Sequence, residues 1–195
     1  MQTELVTQRL KLTRFARADV EALTVALDDP RIAHMTARIP YPYTPADAFA
    51  FLALIERGWA IGREYAYAIR LEGKLAGSAG IVVHGSEAEL GYWIAAPFWG
   101  RGIATEAAQA VCAETFQTLD VARLTAGHFA DNPASGRVLR KLGFSPTGET
   151  GQRFSIGRGD DAPFVGYALE RRPKTGDRFS GKTGEADKSA GRAAA

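Results

Sequence analysis

Apolar residues recur at every second position in Arg9-Leu-Lys-Leu-Thr-Arg-Phe15. That is the period of a strand with one face on a core. A helical period follows through Leu27, with Ala22, Leu23, Ala26 and Leu27 on one face and Asp19 ahead of it as the predicted N-cap. Residues 30–44 keep no period and read as loop. Thr44-Pro45 predicts the start of a second helix, to about Gly58, with threonine as cap and proline in the first turn. Strands are predicted for Glu64–Leu71 and Leu75–His84 around a Glu72-Gly-Lys turn. Gly85-Ser-Glu then makes a hairpin into a third strand, Ala88–Ala95.

From Arg101 to Leu119 apolar residues fall at 103, 104, 107, 108, 111, 112, 116 and 119, a broad stripe suited to lying on a sheet. Arg123–Phe129 predicts a strand. Asn132 predicts the cap of a helix through Leu142, with Gly143 as its stop. Phe144 begins a strand, and Pro163–Glu170 is the last. After Glu170 small and charged residues dominate, with Phe179 the only large apolar one. Such a segment buries too little surface to offset its ordering entropy. The expectation is one domain over 1–170 and a disordered basic tail over 171–195.

Composition narrows the class. The 195 residues suffice for one sizeable core, and 46% hydrophobic with 24% charged residues is the balance of a globular protein. The net charge of +2 is misleading. Residues 171–195 carry seven Lys/Arg and three Asp/Glu, which leaves 17 basic and 19 acidic residues for 1–170. The body therefore offers no broad basic face for nucleic acid. No run approaches a membrane span, and the single cysteine, Cys112, has no internal partner. A cytoplasmic setting is the simplest expectation.

The chemistry concentrates in Glu89-Leu-Gly-Tyr-Trp-Ile-Ala-Ala-Pro-Phe-Trp-Gly-Arg-Gly-Ile-Ala-Thr-Glu-Ala107. It reads as a strand, a turn, a glycine pair and the opening of a helix. Glycines at 100 and 102 let the backbone pass close to a bulky anion. The free N–H groups and the dipole of the helix start then favour a pyrophosphate. Gly100, Arg101, Gly102, Ile103, Ala104 and Thr105 are the candidates for that cradle.

With these motifs in place, the element order resembles the GNAT superfamily of acyl-CoA-dependent N-acyltransferases, and within it the RimJ/RimL branch of ribosomal-protein N-acetyltransferases. Three segments carry the resemblance: Leu5–Phe15, the motif from Glu89 to Ala107, and Asn132-Pro-Ala-Ser-Gly-Arg-Val-Leu-Arg-Lys-Leu-Gly-Phe144. Together they span about residues 5–170. The resemblance implies an α/β (α+β) fold: a mixed, mostly antiparallel twisted sheet of about seven strands flanked by about four helices. Two central parallel strands should splay apart to admit acetyl-CoA. The chain departs from the superfamily at Trp99, where Gln or Arg is common, and at Leu139, where many members carry a tyrosine that protonates the leaving thiolate.

Acyl transfer to an amine needs a proton acceptor, a donor for the oxyanion and a donor for the departing sulfur. Glu89 reads either as a general base acting through water or as an exposed, ion-paired strand glutamate. Asn132 is a favoured cap and, by resemblance, a contact for the pantetheine arm. Ser135, one turn on, either donates to the sulfur in place of the missing tyrosine or satisfies local backbone. The resemblance also implies backbone pairing of pantetheine with Trp93, Ile94 and Ala95, and an acceptor pocket bordered by Met35, Tyr41 and Tyr43, which read otherwise as loop anchors. Glu106 fits the helix dipole and Cys112 the core. His34, His84 and His128 lack ligand spacing, so no metal is expected.

The expected activity is direct acetyl transfer from acetyl-CoA to a primary amine, either a small molecule or a peptide N-terminus, with no nucleic-acid or membrane partner. The resemblance leaves a homodimer open. A catalytically silent CoA-binding sensor or scaffold is the alternative. A nucleotide-binding protein fits less well, because Thr105 breaks the Gly-x-Gly-x-x-Gly spacing.

Overall fold

The computed structural model describes residues 1–171. Its strands are β1 (Glu4–Val6), β2 (Leu10–Thr13), β3 (Glu64–Leu71), β4 (Lys74–His84), β5 (Glu87–Ile94), β6 (Arg123–Phe129), β7 (Ser145–Ser155) and β8 (Asp160–Glu170). Its helices are α1 (Val20–Leu27), α2 (Pro30–Ala33), α3 (Pro45–Ala60), α4 (Ile103–Thr118) and α5 (Pro133–Lys141). One eight-stranded sheet runs in the order β1-β2-β3-β4-β5-β6-β8-β7, antiparallel throughout except between β5 and β6. It is the expected mixed α/β architecture. The elements beyond expectation are β1, of three residues, and α2, of four, both too short to leave a period in the sequence.

Local chemistry sets several boundaries. Glu72 (φ 52°) and Gly73 (φ 79°) make the two-residue β3–β4 turn whose twist matches the flanking strands. Thr44 accepts from the Asp47 N–H at 3.3 Å while Asp47 accepts from the Thr44 N–H at 2.8 Å, a closed capping box on α3. Asp19 departs from expectation. It stands at the N-cap position of α1 but its side chain makes no cap bond. The carboxylate is instead buried, accepting from the Ala16 N–H at 2.8 Å and from the Arg70 guanidinium at 2.9 Å. A buried charge needs a paired cation more than a helix needs a cap.

The sheet separates two cores. On one face the α4 stripe of Ile103, Ala107, Ala108, Val111 and Cys112 packs on Leu12, Tyr67, Ile69, Ala79, Ile81, Leu90 and Leu124. Leu23, Leu27, Ile32, Tyr43 and Ala48 of the α1–α3 layer form the other, against Leu75 and Trp93.

The feature that positions the site is the β5–β6 pairing. It comprises Glu87↔Arg123, Ala88↔Leu124 and Glu89↔Thr125, and then stops. Beyond Glu89 the two strands part: Leu90–Ile94 stay on β4, and Ala126–Phe129 stay on β8. The closed end is fastened by the Ala122 N–H on Ser86 O at 2.7 Å and by an Arg123–Glu87 ion pair at 3.0 Å.

Arg171, grouped with the tail by composition, is bound to the body. Its N–H donates to Ala122 O at 2.9 Å and its guanidinium to Leu119 O at 3.0 Å. The rest of the expected tail, 172–195, lies outside the described residues.

Candidate active site

At the end of β5 the chain makes one short turn, Ala96–Phe98, and enters the glycine pair. Gly100 (φ 74°) and Gly102 (φ 75°) are left-handed, a conformation that side chains disfavour. Gly102 is the N-cap of α4 and supplies no side-chain cap, and the first helical N–H to find an acceptor is Glu106, on Gly102 O at 3.1 Å. Among the described residues the N–H groups of Gly100, Arg101, Gly102, Ile103, Ala104 and Thr105 donate to no protein acceptor. A run of free amides on a helix start concentrates positive partial charge at one point.

This loop is clasped from outside. Arg9 donates to Arg101 O at 3.1 Å and to Glu106 Oε2 at 2.7 Å, and Thr7 Oγ1 donates to Glu106 Oε1 at 2.6 Å. Burial pushes the Glu106 carboxyl up, but the bonds from Thr7 and from the Arg9 backbone and side chain outweigh it and hold the group below the ordinary range. Glu106 therefore ties α4 to the β1–β2 turn, a structural role. The Arg101 guanidinium lies over Phe98, 5.6 Å from its centroid.

Glu89 is the last residue of β5 paired to β6, so it stands at the crotch of the fork. Its carboxylate is about one-third exposed and bonds Arg153 Nη1 at 2.6 Å. Arg153 in turn lies 4.2 Å from the Phe164 ring centroid. Strand alternation sends Glu89 and Trp93 to the α1–α3 face and Tyr92 to the α4 face. There the Tyr92 hydroxyl crosses the open fork to Ser135 Oγ at 2.8 Å and Ser135 O at 3.3 Å. Burial raises the Tyr92 phenol to about 12, with the Ser135 bond acting in the opposite direction.

Asn132 caps α5 as expected, its Oδ1 accepting from the Ser135 N–H at 3.2 Å. Its side-chain NH₂ donates to no protein group among the described residues. Gly136 lets α5 come close to β6, since a Cβ there would lie 2.6 Å from His128 Nε2. Cys112 is buried, and burial raises its thiol to about 12, so it stays protonated and unreactive at neutral pH.

The segment expected to pair with pantetheine is partly engaged. The Ala95 N–H donates to Ala76 O at 2.9 Å, and the Trp99 indole donates to Ile94 O at 2.6 Å. On the far side, Tyr43 is packed into the α1–α3 core, and burial raises its phenol to about 12. Met35 is half-buried and Tyr41 exposed. The β7–β8 tip closes over this segment: Ser155 Oγ donates to Thr36 O at 2.9 Å, the Ile156 N–H to Ala37 O at 3.0 Å and Arg158 Nε to His34 O at 2.6 Å. Gly157 permits the approach, because a Cβ would lie 2.6 Å from that of Ala33.

Sequence reasoning missed Tyr92, Arg153 and Arg9. Tyr92 could have been found by parity, as the first residue past Glu89 and Gly91 able to reach the opposite face with a hydroxyl. Arg153 and Arg9 left no local signal.

The chain matches the family described as acetyltransferase (GNAT) domain over residues 9–145. It is 30% identical over 149 residues to the uncharacterized N-acetyltransferase YoaA of Bacillus subtilis, covering 74% of this chain and 84% of that protein. Among solved structures, RimL, a ribosomal L7/L12 alpha-N-protein acetyltransferase in complex with coenzyme A, superposes with a TM-score of 0.77 at 21% identity, covering 85% and 96% of the two chains. The microcin C7 self-immunity acetyltransferase MccE, with acetyl-CoA and AMP, gives 0.75 at 20%, covering 85% and 94%. A forked β5–β6 pair above a glycine-capped helix start defines an acyl-CoA-binding class of fold. This chain belongs to the GNAT acetyltransferase family, and as such is an acyl-CoA-dependent N-acetyltransferase that uses acetyl-CoA as cosubstrate.

Proposed function

We propose that the amides of residues 100–105 hold the diphosphate of acetyl-CoA, and that the β5–β6 fork directs its thioester toward a primary amine, with a peptide N-terminus as the leading acceptor class. The observation that carries this reading is the coincidence of free amides at the α4 start with a fork ending at Glu89. The residues fit the cosubstrate: the left-handed glycines keep the cradle open, and the parted strands expose backbone that a pantetheine arm can pair with.

Acetyl-CoA supplies an acetyl group already activated for attack. Glu89 takes the proton of the attacking nitrogen through water, with Arg153 fixing its rotamer. Ser135 donates to the departing sulfur. Asn132 holds the Ser135 backbone while its NH₂ faces the arm. Met35 and Tyr41 border the acceptor, whereas Tyr43 supports them from the core. Transfer is direct, since Cys112 is buried and protonated. The leaning to a peptide N-terminus rests on the likeness to RimL. We read the setting as cytosolic; no helix among the described residues is long and apolar enough to cross a membrane.

The silent CoA-binding alternative is favoured by one observation, the burial of Leu139 in the core where the family tyrosine would stand. A thiol-release assay over small amines and peptides with varied first residues decides. An enzyme releases CoA with some acceptors, and a sensor with none.

A further inference from the structure

Ser135 has two claims on it in this fold, and in the contact with Tyr92 either hydroxyl can donate. Its N–H is taken by Asn132 Oδ1 at 3.2 Å, and its Oγ meets the Tyr92 hydroxyl at 2.8 Å. No other described group bonds Ser135 Oγ. The Tyr92 proton has two acceptors within reach, and Oγ is nearer than the carbonyl at 3.3 Å. A serine hydroxyl that accepts one hydrogen bond is polarised to donate a stronger one.

We propose that Tyr92 is a positioning residue for Ser135: by donating across the fork to Ser135 Oγ, it aims and polarises the hydroxyl that supports the departing sulfur. The inference rests on the acetyl-transfer reading above. In the step it serves, a C–N bond forms as the C–S bond breaks, and the C–S electron pair leaves on sulfur. The nitrogen loses its proton through water to Glu89. The sulfur is carried by the Ser135 hydrogen bond until it takes a proton from solvent. Tyr92 keeps its own proton throughout, as its raised phenol requires. A tyrosine hydroxyl thus serves the first turn of α5 from the opposite strand, while Leu139 fills the core.

The test is a double-mutant cycle with Tyr92→Phe, Ser135→Ala and the pair, read as kcat, KM and acetyl-CoA Kd. Tyr92→Phe keeps the ring and should lower kcat about tenfold with Kd unchanged, the effect of one lost hydrogen bond. In the Ser135→Ala background it should cost nothing further. With acetyl-seleno-CoA, whose better leaving group needs less support, the Tyr92→Phe deficit should shrink toward unity. A lesion of packing alone would strike both donors equally and multiply with Ser135→Ala, and either result overturns the inference. So does an unchanged kcat in Tyr92→Phe. If wild-type protein binds acetyl-CoA yet releases no thiol with any acceptor, the acetyl-transfer reading falls first and takes the inference with it.

Discussion

The two ends of the β5–β6 pair are built from the same strands and behave as opposites. At the closed end, three residue pairs, a backbone bond from Ala122 and the Arg123–Glu87 ion pair zip the strands together. At the open end β5 keeps only β4 and β6 keeps only β8, and the Tyr92 hydroxyl reaches across the gap to Ser135. Unpaired backbone in a sheet interior is costly unless something else satisfies it. The sheet tolerates that cost at one end because the other end is paired strand to strand and packed on α4. On the proposed reading, stability and binding fall to different ends of one strand pair.

That division makes separable predictions. Leu124, fully buried beneath the closed end, should be the largest stability site. Leu124→Ala is expected to cost about 2–5 kcal/mol in urea unfolding, while the acetyl-CoA Kd of the folded fraction stays as in wild type. Should Kd weaken in step with stability, the two ends are not independent. Next, Glu89→Gln at the crotch should lower kcat about 100-fold with Kd and the urea midpoint nearly unchanged. A comparable loss in Kd would recast Glu89 as a binding residue.

Gly102→Ala acts on the open end alone. Placing a side chain at φ 75° costs about 1–2 kcal/mol, which the loop relieves by shifting its amides. Calorimetry should show acetyl-CoA affinity falling about tenfold or more, well beyond the change in thermal unfolding. The smallest effect belongs to the clasp. The Glu106 carboxyl is held below its ordinary value of 4.5. Its contribution is therefore present above that pH and is lost as pH falls through the lower, folded value. Glu106→Gln should cost about 1 kcal/mol near neutrality, and the gap to wild type should close on acidification. A gap that holds steady into acid would mean the carboxylate is not what ties α4 to the β1–β2 turn.

How much of this was legible depends on how far apart the partners lie. Strands β3 and β6 were readable to the residue, because period and turn chemistry are local. So were the Thr44 cap and the Asn132 cap. The glycine pair was legible for the same reason, its strand and helix being contiguous in sequence. Asp19 shows the limit: its residue type predicted a cap, but Arg70, 51 positions away, claimed the carboxylate. Tyr43 reads as one of two loop tyrosines, yet it is packed between α1 and α3, because the α1–α3 layer needs a large residue there.

The chain by itself determined the alternation that builds the sheet, the stripe that lays α4 on it, the caps, and the glycine turn that frees the amides of residues 100–105. Each arises from interactions within a few residues. Only the tertiary structure decided where β5 and β6 part, that Arg153 meets Glu89 across 64 residues, and that Tyr92 meets Ser135 across 43. Those pairings depend on the register of strands that come together only when the whole sheet closes, and no local period encodes them.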